Sequence, residues 1–387
     1  MEQFDVIVVG GGMVGAATGG LLAKEKLSVL VIDAFNADQF TFDPSPGLRT
    51  SAFNRFSINI LKSLGAWQHV TPERRCAYTG LQTWEDEKDA LMFSAADSGV
   101  DYLGHILENN LVQQALWQTF DPLNITVRSP ATVKAICQHS DEAIVTLDDG
   151  SEVSARLVVG ADGANSRVRQ LANIGTEGWQ YQQHCMAVTV KMDEAHPPTT
   201  WQQFHPTGPR AYLPLFGQYA SLIWYDHADR IGQLKQLSTE RLTAEIKQAF
   251  PERLGGFTLL DKGAFPLTRM HAKRYYADRT VLVGDAAHTI NPLAGQGVNL
   301  GFKDAAQLAQ CVVEAVNRGE ELGSTDVLVK YHQRRYKANL LMMSAMDIFY
   351  LGFCNDSKPL SRLRNLALSL ANKAGPLKRQ VLKYAVE

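Results

Sequence analysis

Cysteine is scarce in this 387-residue chain, and Cys76, Cys137, Cys185, Cys311 and Cys354 never form a Cys-x-x-Cys pair. That scatter argues against a thiolate zinc site or a disulfide framework and suits free thiols in a reducing compartment. An excess of positive charge is missing too, because 38 basic residues stand against 40 acidic ones. No global basic field is offered to a polyanion, so nucleic acid is not expected as a partner. No run of 18 apolar residues occurs, and an apolar stretch begins at residue 4 with no basic leader before it. Neither a membrane span nor a secretory signal is expected, which makes the cytoplasm the default location. Low-complexity tracts, internal repeats, a nucleophile triad and a metal-ligand cluster are absent as well. What is present is enough length for two domains, with 45% hydrophobic residues to fill their cores.

Glycine carries the information. Gly10-Gly11-Gly12-Met13-Val14-Gly15 follows the apolar run 4–9 and precedes the small-residue run 16–23, which predicts strand, tight turn and helix. A dinucleotide fingerprint needs that setting. Gly10 permits the turn, Gly12 lets a pyrophosphate approach the backbone, and Gly15 allows close helix–strand packing. Met13 and Val14 belong to the same helix start, whose unpaired N–H groups suit phosphate. A second run, 28–32, ends in Asp33. An acid there can bind ribose hydroxyls and repels a 2′-phosphate, favouring FAD or NAD over NADP. A glycine-rich turn in some other α/β protein is the competing account.

Two later segments repeat the pattern. Gly160-Ala161-Asp162-Gly163 follows the run 156–159 and precedes a helix start that Asn165 or Ser166 can cap, as in a ligand crevice or a plain structural turn. Gly284 and Asp285 close the run 280–283, where Asp285 can reach a ribitol hydroxyl. Gly295-Gln296-Gly297 then opens a helix over 298–316. N–H groups at that start, those of Val298 and Asn299 included, can face the flavin edge on which negative charge collects in the reduced state. His288 reads as a packing or hydrogen-bonding residue. Order and Asp placement together point to one FAD held along its length.

With these motifs in this order, the chain resembles the group A flavoprotein monooxygenases, the para-hydroxybenzoate hydroxylase-like family. Within that family it is most similar to the ubiquinone-biosynthesis hydroxylases. Glu108-Asn109-Asn110 with Gln113-Gln114-Ala115-Leu116-Trp117, Thr200-Trp201-Gln202-Gln203-Phe204, Asn291-Pro292-Leu293-Ala294-Gly295 onward to Gly301, and Met346-Asp347-Ile348-Phe349-Tyr350 carry that likeness. The branch acting on 2-polyprenyl-3-methyl-6-methoxy-1,4-benzoquinol is the nearest in pattern.

The resemblance implies an α/β fold, with a Rossmann-like FAD-binding domain interleaved with an antiparallel-sheet substrate domain, plus C-terminal helices. Residues 1–72, 100–179 and 273–339 would form the first, 73–99 and 180–272 the second, and 340–387 the C-terminal region. It assigns Gly10, Gly12, Gly15 and Asp33 to the ADP half of FAD, Arg49 to the pyrophosphate and flavin, Asp162 to FAD and the nicotinamide cofactor, and Asp285 to the ribitol. Pro292 would stand beside the flavin at the substrate cavity, and Gly295, Gln296 and Gly297 under the pyrimidine ring. Many relatives place an Arg where this chain has Gln113 and Gln114, so Gln113 is the candidate for that flavin contact.

The implied activity is hydroxylation of a polyprenylated quinol with NAD(P)H and O2 through a flavin C4a-hydroperoxide. An earlier pathway phenol, a flavin dehydrogenase or oxidase, and a binder of prenylated partners are the alternatives. No proton acceptor is singled out among His184, His205, His227, Tyr212 and Tyr225. The apolar run 340–353 and the acid-free basic stretch 358–383 suit either an ordinary helical end, or docking on pathway enzymes or the inner membrane face.

Overall fold

The computed structural model describes residues 1–40, 43–291, 295, 297–354 and 364. Its first sheet is built on Glu2–Val9, which pairs in parallel with Glu152–Gly160 on one side and Val29–Ile32 on the other. Thr280–Leu282 and Thr126–Arg128 extend the parallel set at either end. Val29–Ile32 and the second half of Glu2–Val9 are buried Val, Ile and Leu, the pattern of strands covered on both faces. The register brings Val9, Gly160 and Leu282 side by side. Three strands, each followed by one of the glycine motifs, therefore end at one edge of the sheet. Ligands of open α/β sheets bind at that carboxyl edge.

The second sheet has eight strands, in the order His288–Thr289, Phe257–Ala272, Thr176–Met192, Tyr219–His227, Arg210–Pro214, Thr199–Gln203, Gly80–Trp84 and Leu91–Ser94. Every pairing is antiparallel except Thr199–Gln203 with Gly80–Trp84. Helices Ala228–Gln236 and Thr239–Ala249 cover one face, packing Ile231, Leu234, Leu242 and Ile246 on Met186, Val188, Leu222 and Trp224. The first of these helices has only two buried residues, Ile231 and Leu234, and so gives little periodic signal in the sequence. Thr50–Asn54, Gly104–Glu108 and Cys76–Tyr78 form a small third sheet. The architecture is the expected mixed α/β one, with a parallel sheet and an antiparallel sheet.

Thr325–Phe353 is one helix of 29 residues. It runs through residue 340, where the sequence reading begins a new region, because neither glycine nor proline interrupts it before Gly352. Val327, Leu328 and Tyr331 anchor it to the first core. Further along, Leu341, Ile348 and Leu351 are exposed. Among the described residues no helix is long and apolar enough to cross a membrane. The basic stretch 358–383 lies outside the described residues apart from Arg364, whose guanidinium pairs with Glu85 at 2.7 Å.

Candidate active site

The glycines of the first motif answer to geometry. Gly10 has φ +100°, and a Cβ there would stand 2.5 Å from the Ala161 carbonyl oxygen. A Cβ on Gly15 would lie 1.8 Å from the carbonyl oxygen of Gly10. Gly12 differs, because no described residue comes within 4 Å of its Cβ direction. Helix Met13–Lys24 starts there with no side-chain cap and no acid in its first turn. Its first N–H groups therefore face open space, a ready site for an anion. The Val14 side chain packs against Gly284 and Gly301, and Met13 packs on the core. Both side chains are packing groups.

Asp33 is half-buried and accepts the N–H of Gly11 and, at 2.6 Å, that of Phe35. An ionised carboxylate retains lone pairs beyond those two bonds. The Gly11 carbonyl accepts from Trp117 Nε1 at 2.6 Å and from Gln113 Nε2 at 3.1 Å. Gln113 thus steadies the glycine loop, alongside a tryptophan that the sequence reading gives no role.

Asp162 serves its own helix. Its carboxylate accepts from Ser166 Oγ at 2.5 Å and from the N–H groups of Arg167 and Val168 at 2.7 and 3.0 Å, at the start of Arg167–Leu171. Buried Arg169 in that helix donates to the Ala286 and Ala164 carbonyls, both at 2.9 Å, and so ties the middle motif to the late one.

In the late motif Gly284 has φ +58° and Asp285 opens onto the cleft. The protein around Asp285 raises its pKa by desolvation, and the His288 and Arg49 charges oppose that rise. Arg49 is exposed, and its guanidinium makes no hydrogen bond to a described residue. Gly295 has φ +61° and Gly297 begins the helix Gly297–Asn317. Pro292 and Gln296 lie outside the described residues. The Asn299 side chain donates to the Ala52 and Gly295 carbonyls at 2.8 and 3.1 Å and accepts from Asn54 N–H and Ser57 Oγ at 3.0 and 2.8 Å. It staples the glycine loop to the neighbouring strand, leaving only its backbone N–H for a ligand, while the Val298 side chain packs on the core.

Beneath this turn lies a polar hub absent from the sequence reading. Asp304 is fully buried and accepts from Gly284 N–H at 3.1 Å, Arg335 Nε at 2.6 Å and Asn339 Nδ2 at 3.0 Å, with His288 Nε2 at 2.5 Å. Asn339 also reaches Tyr275 Oη, which meets His271 Nε2 at 2.7 Å. His288 is the hydrogen-bonding residue its position suggests, 1% exposed.

A family model described as FAD binding domain matches residues 3–344. The chain belongs to the FAD binding domain family. It is 47% identical over 386 residues to 3-demethoxyubiquinol 3-hydroxylase of Escherichia coli, covering 100% of this chain and 99% of that one. Ubiquinone hydroxylase UbiL of Rhodospirillum rubrum is 34% identical over 384 residues, 99% of this chain and 89% of that protein. Among solved structures, p-nitrophenol 4-monooxygenase PnpA from Pseudomonas putida superposes with TM-score 0.81 over 99% of this chain and 97% of its own, at 23% identity, a likeness of fold.

The cleft fits the FAD of this family. The open side of Gly12, the uncapped helix start and the exposed Arg49 guanidinium are suited to a pyrophosphate, and Asp33 and Asp285 to hydroxyls. On the substrate side, the proton-acceptor candidates stand in unlike surroundings. Tyr212 stacks on Trp201 at 5.5 Å, and Tyr225 is buried with its pKa driven well up by desolvation. His205 is pushed down to about 4 by burial and Arg210, His227 is exposed, and His184 is half-buried. Instead, a register shift between Gln180 and His184 aims Tyr181 and Gln183 at the long helix. Tyr181 donates to Asp347, which also accepts from Arg269 Nε at 2.7 Å, and Tyr350 donates to Gln183.

Two other histidines set an acid limit on stability. His105 and His271 are 6% and 3% exposed, and burial first, then neighbouring positive charges, holds each at about 4. An unfolded histidine titrates near ~6.5. Unfolding therefore takes up protons below that pH, so stability falls as pH drops from ~6.5 to ~4 and levels off beneath. Urea midpoints measured across pH 4 to 7.5 should decline in this window, and His271→Gln should flatten the slope.

Proposed function

We propose that the protein is an FAD-dependent monooxygenase that hydroxylates the ring of a polyprenylated benzoquinol in ubiquinone biosynthesis, using NAD(P)H and O2. The observation that carries this reading is 47% identity along the full chain to a protein named 3-demethoxyubiquinol 3-hydroxylase. A ubiquinol ring short of one methoxy group bears one methyl, one methoxy and one prenyl substituent and a single open carbon. That is the substituent set of 2-polyprenyl-3-methyl-6-methoxy-1,4-benzoquinol, the substrate we assign.

Bound FAD supplies hydride acceptance and oxygen activation. The chain supplies position. The Met13–Lys24 helix start and Arg49 hold the pyrophosphate, Asp33 the ribose and Asp285 the ribitol. Gly295 and the Gly297 helix start offer N–H groups and a positive dipole end to the ring edge that gains negative charge. A quinol is already electron-rich, so the second sheet need only orient the open carbon and keep water out. The exposed Leu341, Ile348 and Leu351, followed by the basic 358–383 stretch, support a peripheral position on the inner membrane face, where a prenylated lipid is met.

The test is hydroxylation by the FAD-loaded protein under 18O2 with NAD(P)H and the demethoxy-quinol. One labelled oxygen in the product is expected. Oxidation of NAD(P)H or quinol with no label in the ring overturns the assignment in favour of a dehydrogenase or oxidase.

A further inference from the structure

Glu108 occupies the N-cap position of helix Asn109–Trp117, where Ser, Thr, Asp or Asn would ordinarily cap a free N–H. Its carboxylate makes no such bond. It is 2% exposed, accepts the Gly47 N–H at 2.6 Å, and meets Arg74 Nη1 through both oxygens at 2.9 Å. The other terminal nitrogen of Arg74 donates to the Asp43 carbonyl. The same guanidinium lies 4.5 Å from the Phe216 ring centroid, in the turn between Arg210–Pro214 and Tyr219–His227 of the second sheet. One buried ion pair thus grips residues 43 and 47 and touches a turn of the second sheet.

The segment is held at its far end as well. Asn109 N–H donates to the Arg49 carbonyl at 2.9 Å, and Ser51 Oγ donates to Asn109 Oδ1 at 2.7 Å. Between these grips Leu48 projects onto Gly263 of Phe257–Ala272, where a Cβ would come within 2.4 Å of Leu48 Cδ2. Buried ion pairs add little net stability, and their best-attested use is to fix one arrangement among several. Here the arrangement fixed is that of a seven-residue bridge between two sheets, 43–49, which ends in the cleft-facing guanidinium of Arg49.

We propose that Arg74 and Glu108 are positioning residues that set Arg49 against the anionic part of the cofactor, with Leu48 in the Gly263 notch registering that bridge on the substrate sheet. This rests on the reading of the cleft as the FAD site. FAD affinity, followed by quenching of flavin fluorescence in the full chain, is the readout. Removing both charges together, as R74Q/E108Q, leaves neither partner unpaired and should raise the FAD dissociation constant about tenfold. In an Arg49→Gln background the same pair should change it by less than about twofold, because the pair acts through Arg49. Equal losses in both backgrounds overturn the inference.

Should the paired variant fail to fold, Gly263→Val should weaken FAD binding and Leu48→Ala in the same chain should restore it. Failure of that restoration likewise overturns the proposal. A wild-type chain that binds no FAD would reject the functional reading itself, whereas wild-type binding with additive losses rejects the positioning role alone.

Discussion

The Gly15→Ala protein is expected to purify without flavin. The new methyl would lie 1.8 Å from the Gly10 carbonyl oxygen and 2.9 Å from Ala161 Cβ. Neither neighbour can yield cheaply, since Gly10 N–H is bound to the Ile32 carbonyl at 2.7 Å and Ala161 N–H to the Val9 carbonyl at 2.8 Å. Overpacking of this kind costs roughly 1–3 kcal/mol when the surroundings relax. Here relaxation must spread the first and middle motifs, so the upper end applies, which is on the order of a hundredfold in affinity. Gly12→Ala is the informative companion. Its methyl meets no atom of a described residue within 4 Å, so the melting temperature should hold while FAD affinity falls, because the methyl enters the ligand's space. Flavin absorbance per protein and a fluorescence titration measure both. Stoichiometric flavin of wild-type affinity in Gly15→Ala would remove the close-packing account of that glycine.

The contrast between these glycines shows what a sequence can reveal here. Strand, glycine and acid recur within a few residues in the middle and late motifs and within one strand–helix–strand stretch in the first, so each motif is legible locally. Their convergence at Val9, Gly160 and Leu282 is a matter of sheet order, which local pattern does not contain. Asp162 illustrates a partial reading, because a carboxylate at a strand end suggests a ligand while its oxygens accept from residues four to six positions on. Ser166, already read as a cap, held that signal. Glu108 and Asp347 stand in strings that carry the resemblance, yet their pairing was not legible there, since their partners Arg74 and Arg269 lie 34 and 78 residues away. Tyr181 escaped notice for another reason. Period-two alternation cannot foresee a bulge, and the irregularity between Gln180 and His184 is what aims it at the helix.

Asp304 was the least legible residue and carries the second large prediction. Following Lys303 inside a helix, it looks like a solvated position, yet it is 0% exposed and joins Gly284, His288, Arg335 and Asn339. Burial alone would raise its carboxyl, but the His288 charge and hydrogen bond, then Arg335 and Asn339, hold it down at about 2. Asp304→Ala strands the buried Arg335 guanidinium, which costs about 3–5 kcal/mol. A loss of that size lowers the melting temperature by roughly 4–6 °C in a chain of this length. It should also weaken FAD binding, because Gly284 loses the acceptor that fixes the turn before Asp285. Replacing both partners with apolar residues, Asp304→Leu with Arg335→Met, should recover much of the stability but not the cofactor affinity. The pH dependence has a definite sign. A carboxylate held below its ordinary ~3.9 stabilises fully above that pH and loses its contribution as pH falls through ~2. Wild-type protein should therefore lose stability between ~4 and ~2 more steeply than the apolar pair. Equal unfolding midpoints for wild type and Asp304→Ala at neutral pH would mean that the hub does not hold the late motif in place.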